Sequence, residues 1–129
     1  MEIHINDNRI IHELQDEFNK LFPFLKIEFF SRSHKEGEAT AKKLLRNKNK
    51  KIGECRTISK NGDIIISEKQ KVSELESLFQ SVYGLSVQVF RKSGKVWLET
   101  TSTDNWTLAK QNNEAKELVA FNLKDRNLI

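Results

Sequence analysis

The chain has 129 residues, a formal net charge of +4, 37% hydrophobic and 31% charged residues. That length suffices for one domain with a real core, and the balance of apolar and charged residues excludes an intrinsically disordered chain. Cys55 is the single cysteine, so an intramolecular disulfide and a cysteine metal cluster are both excluded, and a lone thiol fits a reducing compartment.

Glu2–Asn6 alternates, with Ile3 and Ile5 on one side and Glu2 and His4 on the other, as a short strand does. Asn6, Asp7 and Asn8 are then candidate caps for a helix on which Ile11, Leu14, Phe18 and Leu21 form one stripe. Pro23 ends that helix. Leu25–Phe30 alternates again, with Leu25, Ile27 and Phe29 on one face and Lys26, Glu28 and Phe30 on the other.

Residues 31–38 lack periodicity and read as a loop, and Ala39–Arg46 reads as a short helix. The segment 42–60 is strongly basic. It holds Lys42, Lys43, Arg46, Lys48, Lys50, Lys51, Arg56 and Lys60 against the single acid Glu54. Cys55–Ser59 reads as a strand. Asn61-Gly62 signals a hairpin turn, with Asp63–Ser67 as the strand after it.

Ser73 and Glu76 have capping-box spacing at the head of a second helix, whose stripe is Val72, Leu75, Phe79 and Val82 and whose stop is Gly84. Leu85–Thr101 reads as two strands about a Ser93-Gly94 turn, which sets Phe90 opposite Trp97 and Lys92 opposite Lys95. A last helix carries Trp106, Leu108, Ala115, Leu118, Val119 and Phe121. Its middle, Lys110–Glu114, is polar, which predicts weak docking or docking by its two ends.

The two strand–helix–strand units align at an offset of 61 residues, which becomes 60 after one residue drops out near Phe24. Ile3 then meets Ile64, Ile11 meets Val72, Phe18 meets Phe79 and Phe30 meets Phe90. The expectation is an α+β fold in which duplicated β-α-β units form a ferredoxin-like sandwich, one antiparallel sheet with its helices on one face. It divides a single domain, 1–129, into a first unit 1–31, a basic insertion 32–61, a second unit 62–91 and a hairpin strand with C-terminal helix over 92–129. The competing fold is a ubiquitin-like β-grasp over residues 52–101.

In the ferredoxin-like arrangement, alternation puts His4, Lys26, Phe30, Phe90 and Trp97, edged by Lys92 and Lys95, on the sheet face away from the helices. Aromatic rings among cations on such a face hold single-stranded nucleic acid in RNA-recognition domains. The RNP1-type string of those domains is absent here. The face is therefore either an open ligand surface, a surface covered by the chain itself, or a contact between copies. Lys42, Lys43, Arg46, Lys48, Lys50 and Lys51 are candidate phosphate contacts. Thr101, Thr103, Asp104 and Trp106 are candidates for a small polar pocket.

Catalysis is not expected. His4, His12 and His34 have no metal-ligand spacing, the Ser31–His34 loop shows no triad, and the five glycines form no phosphate loop. No cofactor is implied, and no apolar run is long enough to span a membrane. The sequence reading is a non-catalytic cytoplasmic binding or assembly module that self-associates through its sheet or hairpin edge or binds a protein partner, with nucleic-acid binding as the alternative.

Overall fold

The computed structural model describes residues 1–32 and 42–127. Its elements in order are β1 (Glu2–Ile5), α1 (Ile11–Leu21), β2 (Leu25–Arg32), β3 (Lys42–Leu44), β4 (Gly62–Ile65), α2 (Val72–Tyr83), β5 (Ser86–Ser93), β6 (Val96–Glu99) and α3 (Leu108–Asn127). The fold is α+β with two antiparallel sheets. One is the pair β1-β4; the other has the order β3-β2-β5-β6.

Alternation dictates what is buried. Ile3, Ile5, Ile64 and Ile66 leave one face of β1-β4, and Leu25, Ile27, Phe29, Val87 and Val89 leave one face of β2 and β5. They meet Ile11, Leu14 and Phe18 of α1 and Val72, Leu75 and Phe79 of α2 in one apolar core. Phe29 packs edge-on against Phe79, with ring centres 6.1 Å apart.

The single ferredoxin-like sheet does not form. A ferredoxin-like order would join β1 and β4 to β2 and β5; instead the two pairs lie in separate sheets. Hydrophobic alternation specifies which face of a strand is buried, not which strand lies beside it. The β-grasp also fails, because no strand forms at Cys55–Ser59 and Gly62 opens β4, which pairs with the distant β1. Neither Asn61 nor Gly62 takes the positive φ of a type I′ turn.

The two halves make the same hydrogen bonds at matching positions. Asn8 N donates to Asn6 Oδ1 at 3.0 Å, and Lys69 N to Ser67 Oγ at 3.3 Å. Ile11 and His12 begin α1 by donating to Lys50 O and Lys48 O, while Val72 and Ser73 begin α2 by donating to Trp106 O and Asp104 O. Ile52 N bonds Arg9 O, as Leu108 N bonds Gln70 O; Leu45 N bonds Phe29 O, as Thr100 N bonds Val89 O. Backbone carbonyls thus do the work expected of side-chain caps. Asn6, Asp7 and Asn8 do not cap α1, which starts after Ile10. Ser73 lies inside α2, and Glu76 Oε2 accepts from Val89 N at 2.8 Å instead of closing a capping box.

Other differences are local. Lys42–Leu44 is a strand, not part of a helix, because it completes the outer edge of β2 beyond Phe29. The earlier part of that edge is closed by side chains of α1: Asn19 Nδ2 donates to Leu25 O and Gln15 Nε2 to Ile27 O, each at 2.8 Å. Gly84 ends α2 with φ +66°. Docking of α3 runs through its first half, where Leu108, Gln111 and Ala115 are buried; Leu118 and Phe121 are exposed. Its polar middle docks because Gln111 is hydrogen-bonded, Nε2 donating to Thr103 O and Oγ1 at 2.8 Å each.

Candidate functional site

The face of β2, β5 and β6 that points away from the core carries Lys26, Glu28, Phe30, Gln88, Phe90, Lys92, Trp97 and Glu99. Of these only Glu28 is buried. Neither the Trp106 region nor α3 lies across it, because Arg91, which contacts both, points to the other side of β5. Lys48 does reach it and pairs with Glu28, as Lys26 does at 3.3 Å.

Trp97 stands opposite Lys92, not Phe90, and the two turn residues are Gly94-Lys95 rather than Ser93-Gly94. A shift of two positions preserves the face, so Trp97 and Phe90 still share it. Lys26 Nζ lies 5.0 Å from the Trp97 ring centre and 5.6 Å from that of Phe90, and Lys92 Nζ lies 5.0 Å from Trp97. Two cations therefore occupy the Trp97 π surface.

His4 is not on this face. It sits on the outer side of β1-β4, paired with Asp63. The hydrogen bond to the Asp63 carboxylate raises its pKa above the ordinary histidine value. Glu2, His4 and Asp63 offer ligand atoms within 4.8 Å of one another, all exposed. His12 pairs with Asp16 at 3.0 Å. Ser33 and His34 lie outside the described residues.

The basic segment divides. Lys43 and Arg46 are exposed and line, with Lys50, one shallow cavity at the β3 edge. Lys51 is also exposed, and Lys48 is taken by Glu28. Of Lys42 only the backbone, in β3, is described. Lys95 is exposed in the β5–β6 turn. Arg56 leaves the surface altogether. Its side chain is fully buried, pairs with Asp7 at 2.8 Å, and donates through Nη1 to Lys60 O at 2.7 Å and Tyr83 O at 3.2 Å. Asp7 is held below the usual carboxylate range by that guanidinium.

The four residues proposed for a polar pocket have separate partners. Thr101 bonds Gln88, Thr103 bonds Gln111, and Trp106 lies between Arg91 and Lys110. Asp104 lines a crevice, with Ser73, Glu76 and Ser86 among its neighbours.

One feature escaped the sequence reading, a cavity of about 420 Å³ lined by Phe30, Lys50, Cys55, Ile58 and Ser86, among others. The hairpin edge named from the sequence is that of β6, which has no partner strand among the described residues. The alternation of Lys95, Val96, Trp97, Leu98 and Glu99 was its visible signal. Comparison with protein-family models, curated proteins and solved structures finds no match to this chain.

Proposed function

We propose that the chain is a non-catalytic binding module that self-associates through β6. The make-up of the β6 edge carries this reading. Thr100 N donates to Val89 O at 3.3 Å. In an antiparallel ladder the backbone groups of alternate residues turn to opposite edges, so those of Leu98 and Val96 also turn toward β5. Those of Lys95, Trp97 and Glu99 turn outward. Antiparallel pairing with β6 of a second copy, centred on Trp97, joins all of these outward groups. The same register sets Lys95 opposite Glu99 of the second copy at both ends, and Val96 opposite Leu98. Val96 and Leu98 are 56% and 43% exposed in the single chain. An open edge with apolar side chains is a template for strand pairing.

Sedimentation equilibrium tests it. The wild type should form dimers, Lys95→Glu or Glu99→Lys alone should weaken them by roughly tenfold, and the double exchange should restore them. A monomer at the highest attainable concentration contradicts self-association; a dimer indifferent to both exchanges contradicts the edge.

The aromatic face, across which neither Trp106 nor α3 lies, favours a second reading: single-stranded nucleic acid, with a base displacing Lys26 or Lys92 from the Trp97 ring and phosphates taken by both lysines. Retention on single-stranded RNA or DNA that disappears with moderate salt supports it; no retention at low salt ends it. The matched hydrogen bonds of the two halves support descent from one duplicated β-α-β-β unit. The lone thiol supports a reducing, cytoplasmic setting. Among the described residues no helix is long and apolar enough to cross a membrane.

A further inference from the structure

The correspondence between the halves reaches a crevice beside each helix, and the two crevices differ. In the second half the crevice is full. Trp106, whose carbonyl starts α2, places its ring between Arg91 Cζ at 5.4 Å and Lys110 Nζ at 4.5 Å. Arg91 Nη1 donates onward to Gln111 Oε1 at 3.2 Å, and Gln111 is completely buried. In the first half, Lys50 stands at the place of Trp106, because its carbonyl starts α1. By the same matching Ser31 stands for Arg91, Glu54 for Lys110 and Cys55 for Gln111. All four of these residues line the cavity of about 420 Å³. The indole and its guanidinium lid are replaced by a flexible amine and a small hydroxyl, and the space they would fill is open.

The walls of that space define its ligand. Phe30, Leu45 and Ile58 supply apolar surface. Ser86 is 8% exposed, and its hydroxyl has no hydrogen-bond partner among the described residues. A buried hydroxyl left unpaired is costly and is satisfied by a ligand acceptor. Lys50 is in no ion pair among the described residues, whereas Glu54 is engaged, its Oε2 accepting from Lys51 N at 3.3 Å. Arg56 is already committed to Asp7.

We propose that this cavity is a binding site for a small planar aromatic acid. The ring occupies the room that Trp106 fills in the other half, the carboxylate meets the Lys50 ammonium, and a ligand acceptor takes the Ser86 hydroxyl. This site does not depend on self-association through β6.

Cys55, the only thiol, is the reporter. Indole-3-acetate at millimolar concentration should slow its alkylation by iodoacetamide at least fivefold, while acetate alone should not. The variant S31R/K50W imports the residues of the filled crevice, and it should melt higher than the wild type and lose the protection. Ser86→Ala keeps the wall in place and should weaken the protection severalfold. Alkylation unaffected by indole-3-acetate, equal protection by acetate, or protection undiminished in both variants would overturn the proposal.

Discussion

Glu28 of β2 stands directly across its ladder from Gln88 of β5, the residue that the offset between the halves assigns to the same position. Ile3 and Ile64 stand in the same relation across β1 and β4. Each ladder thus contains one pair of residues related by the offset between the halves. The isoleucine pair lies in the core and both side chains are fully buried. Ile3→Ala and Ile64→Ala should each destabilise the fold by about 3 kcal/mol in denaturant unfolding. Similar losses are expected, since both side chains are fully buried in the same core; a near-neutral effect at either site would contradict the shared core.

Arg56 ties the chain after the Ile52–Glu54 turn to the start of α1 through Asp7 and to the end of α2 through Tyr83 O. Arg56→Ala leaves the Tyr83 and Lys60 carbonyls without their donor and should cost roughly 2 kcal/mol. Arg56→Lys should recover only part of this, because an ammonium cannot span the fork. Chemical denaturation of the three proteins checks the order.

Gly84 has φ +66°, and a Cβ there would lie 2.7 Å from Ile58 Cγ1. Gly94 has φ +60° with open space around it. Gly84→Ala should therefore destabilise by about 2 kcal/mol and Gly94→Ala by about 1 kcal/mol. Thermal melts that reversed this order would show that crowding by Ile58 does not matter.

His4 has its pKa raised by Asp63. Folding favours the protonated form of His4, so its contribution to stability is full below the unfolded value and is lost as pH rises through the raised one. The expected window runs upward from about pH 6.5. In an NMR titration, Asp63→Asn should bring the His4 midpoint back toward the ordinary value; an unchanged midpoint would refute the pairing.

Much of this fold was written in hydrophobic spacing. Ile3 and Ile5, Ile11, Leu14 and Phe18 of the α1 stripe, Val72, Leu75 and Phe79 of the α2 stripe, and Leu25, Ile27 and Phe29 are all buried where alternation or helical period put them, while Leu21 and Val82 are half-buried. Partners were not legible. A period of two cannot distinguish β4 from β5 as the neighbour of β1, so His4 was assigned to the wrong sheet. Nor can it register a slip of two, so Trp97 had the right face and the wrong neighbour. The strand Lys42–Leu44 lacks β-branched residues and exists because β2 offers it an edge. The open cavity required matching Lys50 with Trp106, and the offset between the halves changes after the segment 33–41, which hides that match in the linear sequence.

The β6 edge is the center of the functional account, and amide hydrogen exchange reads it directly. As protein concentration rises, the Trp97 and Glu99 amides, which turn away from β5, should gain protection together, while in Lys95→Glu they should stay as fast as in dilute protein. Rapid exchange of both amides at every concentration would contradict pairing through this strand.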